Sequence, residues 1–426
     1  MTALSTAGFT AYIERKYIKP QDILTAILKA SPILGLIPKD QTMGDYVDIP
    51  INNTAPAGVS PAYSTAVAGQ TPGVYNKFTV QPVKLYAYGK VANDLIRSAD
   101  AKKDKTLVLK PLNNEMERLK QALTLQLCAN AMGNHGFALG QVLATPGGTD
   151  YHLDLKDPSD HYKFYNGMQI CAALTDGTSG ALLDADHCTL SKVSRNSVVS
   201  SVVTSRLTTA TGYWTTVITG LVADAYLFAK GGFGAGAYGI ESWNPYTAPT
   251  GGESFTVAAV DRSVDEAALA GWRILGTGMP IEEAINYAMG VCSVGGSMPK
   301  ILLANPMDLA NILNAYRGTA MPNTVYAQGE GAIAKIGYSS IKVQTMLGPL
   351  DVISDRFQKK GYIRLVDPDS FVLLSSGELV RFLEVDEKGG FFRLTPAGED
   401  SSEFTLVAQW QMGCNAPGNN AVIKIA

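Results

Sequence analysis

Charged residues are scarce in this chain. Asp, Glu, Lys and Arg make up 17% of its 426 residues, and none falls between Ile49 and Asn76. The 35 basic and 38 acidic side chains leave a net charge of −3, which excludes a general attraction to nucleic acid or acidic lipid and leaves little self-repulsion to oppose association. Long apolar runs are missing as well. The most apolar early stretch, "ILTAILKASPILGLIP", is broken by Lys29 and Pro32 and is too short to cross a bilayer, so no membrane partner is expected. The start lacks a basic segment followed by an apolar run and a small-residue cleavage site, which points to assembly inside a cell. Five scattered cysteines, Cys128, Cys171, Cys188, Cys292 and Cys414, give no disulfide framework and are expected to be reduced structural thiols.

Catalytic signatures are equally thin. His135, His152, His161 and His187 show no i, i+4 pair and have no CxxC beside them, so metal-ligand spacing is absent. No GxSxG elbow occurs. "GAGAYG", Gly234 to Gly239, fits a dinucleotide-type glycine pattern, but the following "IESWNPYTAPTGGESF" reads as unhelical and places no acidic residue at the end of a second strand, so a flexible loop is expected. Glu282 and Glu283 suit a helix's first turn, and the "KKDK" run at Lys102 to Lys105 is diluted by Asp100 and Asp104, as in a solvated helix approach. No catalytic, metal or cofactor residue is assigned, and an enzyme ranks last among the readings.

What is present is a set of ordered elements rich in turns, with 42 glycines and 21 prolines. "KPQDILTAILKASPILGLIP" reads as a short anchor helix ended by Pro38, with Ile23, Ile27 and Leu28 at helical spacing. "YVDIPI" and "KFTVQPVKLYAYGKV" alternate as strands on either side of the uncharged stretch. About twenty-five irregular residues between paired strands exceed an ordinary hairpin loop and point to a functional one. Its Tyr63, Val67, Val74 and Tyr75, followed by Phe78, need a surface to pack against. Next comes the strongest helix signal, 107 to 133, with Leu112, Met116, Leu119, Leu123 and Leu127 on one face, Pro111 in its first turn and Gly133 at its end. From 146 to 262 the texture becomes short Ser/Thr/Val-rich strands, among them "QICAAL", "HCTLSKV", "SVVSSVVTS", "WTTVITG" and "AYLFAKG", as in a small barrel or sandwich. "PIEEAINYAMGVC", "KILLA" and "NPMDLANILNAY" then predict helix, strand and helix, and the remainder reads as strands.

In that order the elements resemble the major capsid protein of tailed bacteriophages, with the Hong-Kong-97-type shell fold. The matching stretches are "GDYVDIPINNTAPAGVSPAYST" with "KFTVQPVKLYAYGKV", "LNNEMERLKQALTLQLCANAM", "PKILLANPMDLANIL", and the end from "GPLDVISD" to "NNAVIKI". The resemblance implies an α+β fold with 1–47 as N-terminal arm, 48–92 as extension loop, 93–145 as peripheral domain with the spine helix, and 146–262 as an inserted β-rich domain. It further implies 263–300 as peripheral domain again, 301–400 as axial domain, and 401–426 as a strand returning to the peripheral domain. It implies a structural, self-assembling protein of the virion, forming hexamers and pentamers of an icosahedral shell around double-stranded DNA, built in the host bacterial cytoplasm. The implied partners are further copies of itself, a portal protein, a scaffolding protein, decoration proteins and non-specifically contacted DNA. The extension loop residues Tyr63, Val67, Val74, Tyr75 and Phe78 would lie over a neighbouring subunit. In some relatives a loop lysine is joined to an asparagine; Lys77 or Lys84 with Asn415, Asn419 or Asn420 are candidates, for which free surface residues are the expected reading. Alternatives are an encapsulin-type cargo compartment and a β-rich tail or receptor-binding protein.

Overall fold

The computed structural model describes residues 31–41, 44–54, 58–70, 74–92, 106–199, 202–210, 212–249, 256–257, 260–318, 341–383, 393–394 and 401–425. Strand Ser401–Cys414 organises the largest core. It pairs antiparallel with Val83–Ala92 on one side and Phe371–Phe382 on the other, and Lys39–Asp40 adds a parallel edge. Alternation along the strand turns Leu406, Ala408, Trp410 and Met412 to the core, where Val83, Leu85 and Ala87 join them, and Phe404 on the same face is buried too. "SFVLLS" and "LVRFLEV", two strands by pattern, are one strand whose register shifts between Ser375 and Val380, with Gly377 at φ 81° in the interruption.

The long helix, Thr106–Met132, packs across this sheet. Its 27 residues make a rod of about 40 Å. It starts at Thr106, one residue before the predicted 107, and Pro111 lies in the second turn rather than the first. Leu123 and Leu127 are buried and Leu119 is half-buried, whereas the side chains of Leu112 and Met116 lie outside the described residues. Gly89 permits the helix to approach, because a Cβ there would stand 2.4 Å from Phe404 and 2.6 Å from Leu119. Among the described residues the anchor shows one helical turn, Ile33–Leu36, that buries Ile33 and Leu34; Ile23, Ile27 and Leu28 lie outside the described residues.

A second, mixed sheet of six strands runs in the order Trp272–Leu275, Ala421–Lys424, Tyr362–Val366, Ile301–Ala304, Gly348–Ser354, Ile341–Thr345. Helices Ile281–Val294 and Pro306–Gly318 pack with it. The second helix opens where Asn305 and Pro306 predict, with Asn305 Oδ1 accepting the Met307 N–H at 3.0 Å. The grouping of segments differs from the expected one. Strand Trp272–Leu275 lies in this sheet with helix Ile281–Val294 packed on it, rather than in the unit around the long helix; Phe371–Phe382 lies in the first sheet rather than with 301–366; and of the chain end, Ser401–Cys414 lies in the first sheet and Ala421–Lys424 in the second. Local pattern carries strand identity but not strand partner, and long-range pairing decides these placements.

The β-rich region closes on itself. Six strands between Gly140 and Ala229 are hydrogen-bonded in sequence around a ring. The two edge strands meet through Val142 and Leu155, with N–H donations from Leu143 to Asp154 and from Lys156 to Gln141, both at 2.9 Å. The result is a small barrel with its own core of Leu139, Phe164, Ile170, Leu190, Leu207 and Leu227. It is shorter than the predicted 146–262 and begins earlier; Ile240, Trp243 and Val260 pack into the main core instead. "WTTVITG" is not a strand. Trp214–Val217 forms a helical turn in which buried Trp214 plugs the barrel core and its Nε1 donates to the Tyr151 carbonyl, so tertiary burial overrides the β-branched run.

Candidate assembly surface

The uncharged stretch folds as a hairpin. Val47–Thr54 pairs antiparallel with Val74–Val80, in register from Val47↔Val80 to Asn52↔Tyr75, with a shift before Thr54↔Val74. Its root is sunk in the main core through Ile49, Ile51, Phe78 and Val80. Phe78 meets Trp243 edge to face, with ring centroids 4.9 Å apart, and Trp243 Nε1 donates to the carbonyls of Tyr238 and Met412 at 3.1 Å each. Phe78 is fully buried by its own chain, so it is not available to lie over a neighbour as predicted. Just outside the root, Asp48 accepts from Lys77 at 2.6 Å and from the Thr79 hydroxyl at 2.7 Å. These two donors hold its carboxyl below the usual range, and Asp48 in turn raises Lys77.

The tip is different. Tyr63–Ala68 forms a six-residue helix with no buried residue, a length well below the ~12–15 residues at which an isolated helix becomes stable in water. A turn at Gly58, φ 121°, brings the chain against it; a Cβ there would stand 3.0 Å from the Ala66 carbonyl oxygen. Val59 is 100% exposed, Tyr63 86% and Val67 55%. Tyr63 and Val67, one turn apart, share a face. The side chains of Val74 and Tyr75 lie outside the described residues. The tip is thus a folded, uncharged knuckle whose apolar face its own chain leaves wet.

Elsewhere the candidates for chemistry have structural roles. The glycines of "GAGAYG" let the chain cross the end of the long helix: a Cβ at Gly239 would stand 2.4 Å from the Gly133 carbonyl oxygen, and one at Gly236 2.5 Å from that of His135. Asn130 Oδ1 fastens the crossing by accepting the Ala237 N–H at 2.8 Å. This is a packed crossing rather than a flexible loop, and it leads into a short helix, Ile240–Trp243, where the sequence reads as unhelical. Among the described residues no group of His, Cys, Asp or Glu is placed to hold a metal, and no helix is long and apolar enough to cross a membrane. All five cysteines are buried and none forms a disulfide; burial pushes Cys414 up to about 12 and Cys188 and Cys292 up to about 11. Lys77 is engaged by Asp48, and Asn420 is buried with its Oδ1 accepting the Asp367 N–H at 2.9 Å.

Asp355 and Arg262 are among the buried charged side chains that went unforeseen. Asp355 accepts from the Ser31 hydroxyl and, at 2.8 Å, from the Phe357 N–H; burial pushes its carboxyl up to about 6 despite those donors. Arg262 donates to the carbonyls of Ser242 at 2.6 Å and Trp243 at 3.3 Å, the last two residues of the short helix, and burial brings it down to about 10. Neither side chain has a sequence signature, since each is defined by partners far along the chain.

No family model matches this sequence, and no curated protein matches it. Solved structures do. The cyanophage A-1(L) capsid asymmetric unit matches with a TM-score of 0.51 at 13% identity, covering 92% of each chain. A capsid chain of the native GTA particle matches with a TM-score of 0.42 at 8% identity, over 93% of this chain and 90% of that one. A chain of Mycobacterium phage Adephagia matches with a TM-score of 0.39 at 12% identity, over 100% and 99%. At the TM-score of the cyanophage match, this mixed helix-and-sheet chain shares its fold, over nearly its whole length, with a phage capsid chain.

Proposed function

We propose that this chain is a structural major capsid protein, which assembles as hexamers and pentamers into an icosahedral shell around the double-stranded DNA of a tailed phage. The whole-length likeness to the cyanophage capsid chain carries the reading, and the uncovered knuckle at the hairpin tip supports it. Self-association is where such a surface gains its stabilisation, at about 25 cal/mol per Å² of apolar area removed from water. In this reading Tyr63 and Val67, with Val74 and Tyr75, lie over a neighbouring copy, while Phe78 holds the hairpin root in its own subunit. The unit around the long helix is the peripheral domain, the second sheet is the axial domain, and the barrel is an insertion. Portal, scaffolding and decoration proteins are the further partners, and the near-neutral charge leaves only weak, non-specific contact with DNA. Negative-stain microscopy of the expressed chain, alone and with a candidate scaffolding protein from the same source, tests the proposal. Closed shells support it; a trimer or a persistent monomer under both conditions counts against it.

A further inference from the structure

The carboxyl of Asp355 sits where four parts of the chain meet. Asp355 follows strand Gly348–Ser354 of the second sheet and is 1% exposed. Its charge acts on Cys128 of the long helix and on Tyr162 of the barrel's Pro158–Lys163 turn. The fourth part is the anchor. Ser31, fully buried, donates its hydroxyl to Asp355 Oδ2, and the residues that follow bury Ile33, Leu34 and Ile37 in the same core as Cys128, Ile353 and Phe357. An ionised carboxyl is poorly provided for here. Its donors, the Ser31 hydroxyl and the Phe357 N–H at 2.8 Å, are both neutral. Arg356 attracts it, but that guanidinium lies over the rings of Tyr162 and Phe357, 5.7 and 4.8 Å from their centroids. A buried charge with no bonded counter-ion is costly, whereas a protonated carboxyl exchanges hydrogen bonds with the Ser31 hydroxyl at no such cost.

The walls around this group differ in strength. Three are a 27-residue helix, a six-stranded sheet and a closed barrel. The anchor wall is one turn, closed by bonds from the Gly35 N–H to Pro32 at 3.0 Å and from the Ile37 N–H to Ile33 at 3.2 Å. Water therefore reaches Asp355 most easily by lifting that turn. We infer that Ser31 and Asp355 form a proton-controlled latch, which holds the anchor turn shut while the carboxyl is protonated and lets it open locally once the carboxyl ionises. The inference does not depend on the shell reading. The closed state keeps the proton up to about pH 6 and an opened one up to about 4. Closure is thus fully favoured below about pH 4 and weakens as pH rises through 6, with the opened fraction rising roughly tenfold between pH 5 and 8. The other groups around Asp355 do not supply this response. Burial raises Cys128 and Tyr162, so both stay protonated; Arg356 is a fixed cation; and Ser31 to Pro38 carries no titratable side chain. On the barrel turn, Asp157 accepts the Ser159 N–H at 2.9 Å, Asp160 is held by Lys163 at 2.7 Å, and His161 Nδ1 meets the Pro158 carbonyl at 2.7 Å.

Hydrogen exchange of the full chain from pH 5 to 8, followed by mass spectrometry and corrected for the intrinsic rate, tests the latch. Protection of the Gly35 and Ile37 amides should fall roughly tenfold across that range, while protection of the Leu127 and Trp410 amides holds. Asp355→Asn should keep the anchor protected at both ends of the range. Ser31→Ala leaves the ionised carboxyl with the Phe357 N–H alone and should deepen the loss at pH 8. Anchor protection that does not change with pH in the wild-type chain overturns the inference. So does a loss that survives Asp355→Asn, or one shared equally by Leu127 and Trp410, which would be unfolding of the whole subunit.

Discussion

The root and the tip of the hairpin come from one neutral, proline-bearing stretch, yet the root buries Ile49, Ile51, Phe78 and Val80 in its own chain and the tip helix Tyr63–Ala68 buries nothing. Both are apolar, so composition does not separate them. What separates them is whether the chain supplies a covering surface: Trp243 and strand Ser401–Cys414 reach the root, and nothing among the described residues reaches Tyr63. The difference teaches that one element can be stabilised by folding at one end and await association at the other.

The largest effect should come from breaking the root. Trp243→Ala removes the ring against Phe78 and a side chain that ties two carbonyls, and should cost about 3–5 kcal/mol in denaturant melts of the subunit. A loss below about 0.5 kcal/mol, the range of surface changes, would contradict a self-sufficient root. Next comes the buried carboxylate of the same core. Asp355 titrates at about 6 when folded and at about 4 when unfolded, so the folded chain keeps its proton to higher pH. Stability should therefore fall as pH rises from about 4 through about 6 and level off above, by about 2–3 kcal/mol in all. Asp355→Asn should flatten that part of a melting-temperature profile taken from pH 4 to 7, and an unchanged slope would assign it to another group. The smallest effect on folding sharpens the contrast most. Tyr63→Ser with Val67→Ser should leave subunit stability within about 0.5 kcal/mol of the parent while abolishing closed particles; a destabilised subunit would mean that the tip packs on its own chain.

Element identity was largely legible in the sequence. The period-two strands of the hairpin, the helix at Pro306 and the apolar face at Leu123 and Leu127 follow from spacing and from the residues that start and stop helices. Partner choice was not. Nothing local says that Ala421–Lys424 joins Trp272–Leu275, that Val142 meets Leu155 to close a barrel, or that Trp214 turns into the barrel core instead of extending a strand. The surface was half legible: the missing charge from Ile49 to Asn76 marked the tip, but the same absence covered the root, and only the position of Trp243 shows that Phe78 faces inward.

The most direct measurement is the particle formed by the wild-type chain beside one lacking Ser64 to Gly73, followed by sedimentation and electron microscopy. The account predicts closed shells from the first, and from the second folded, soluble subunits that never close. Ordinary shells from the shortened chain, or a wild-type chain that stays single at high concentration with scaffolding protein present, would contradict it.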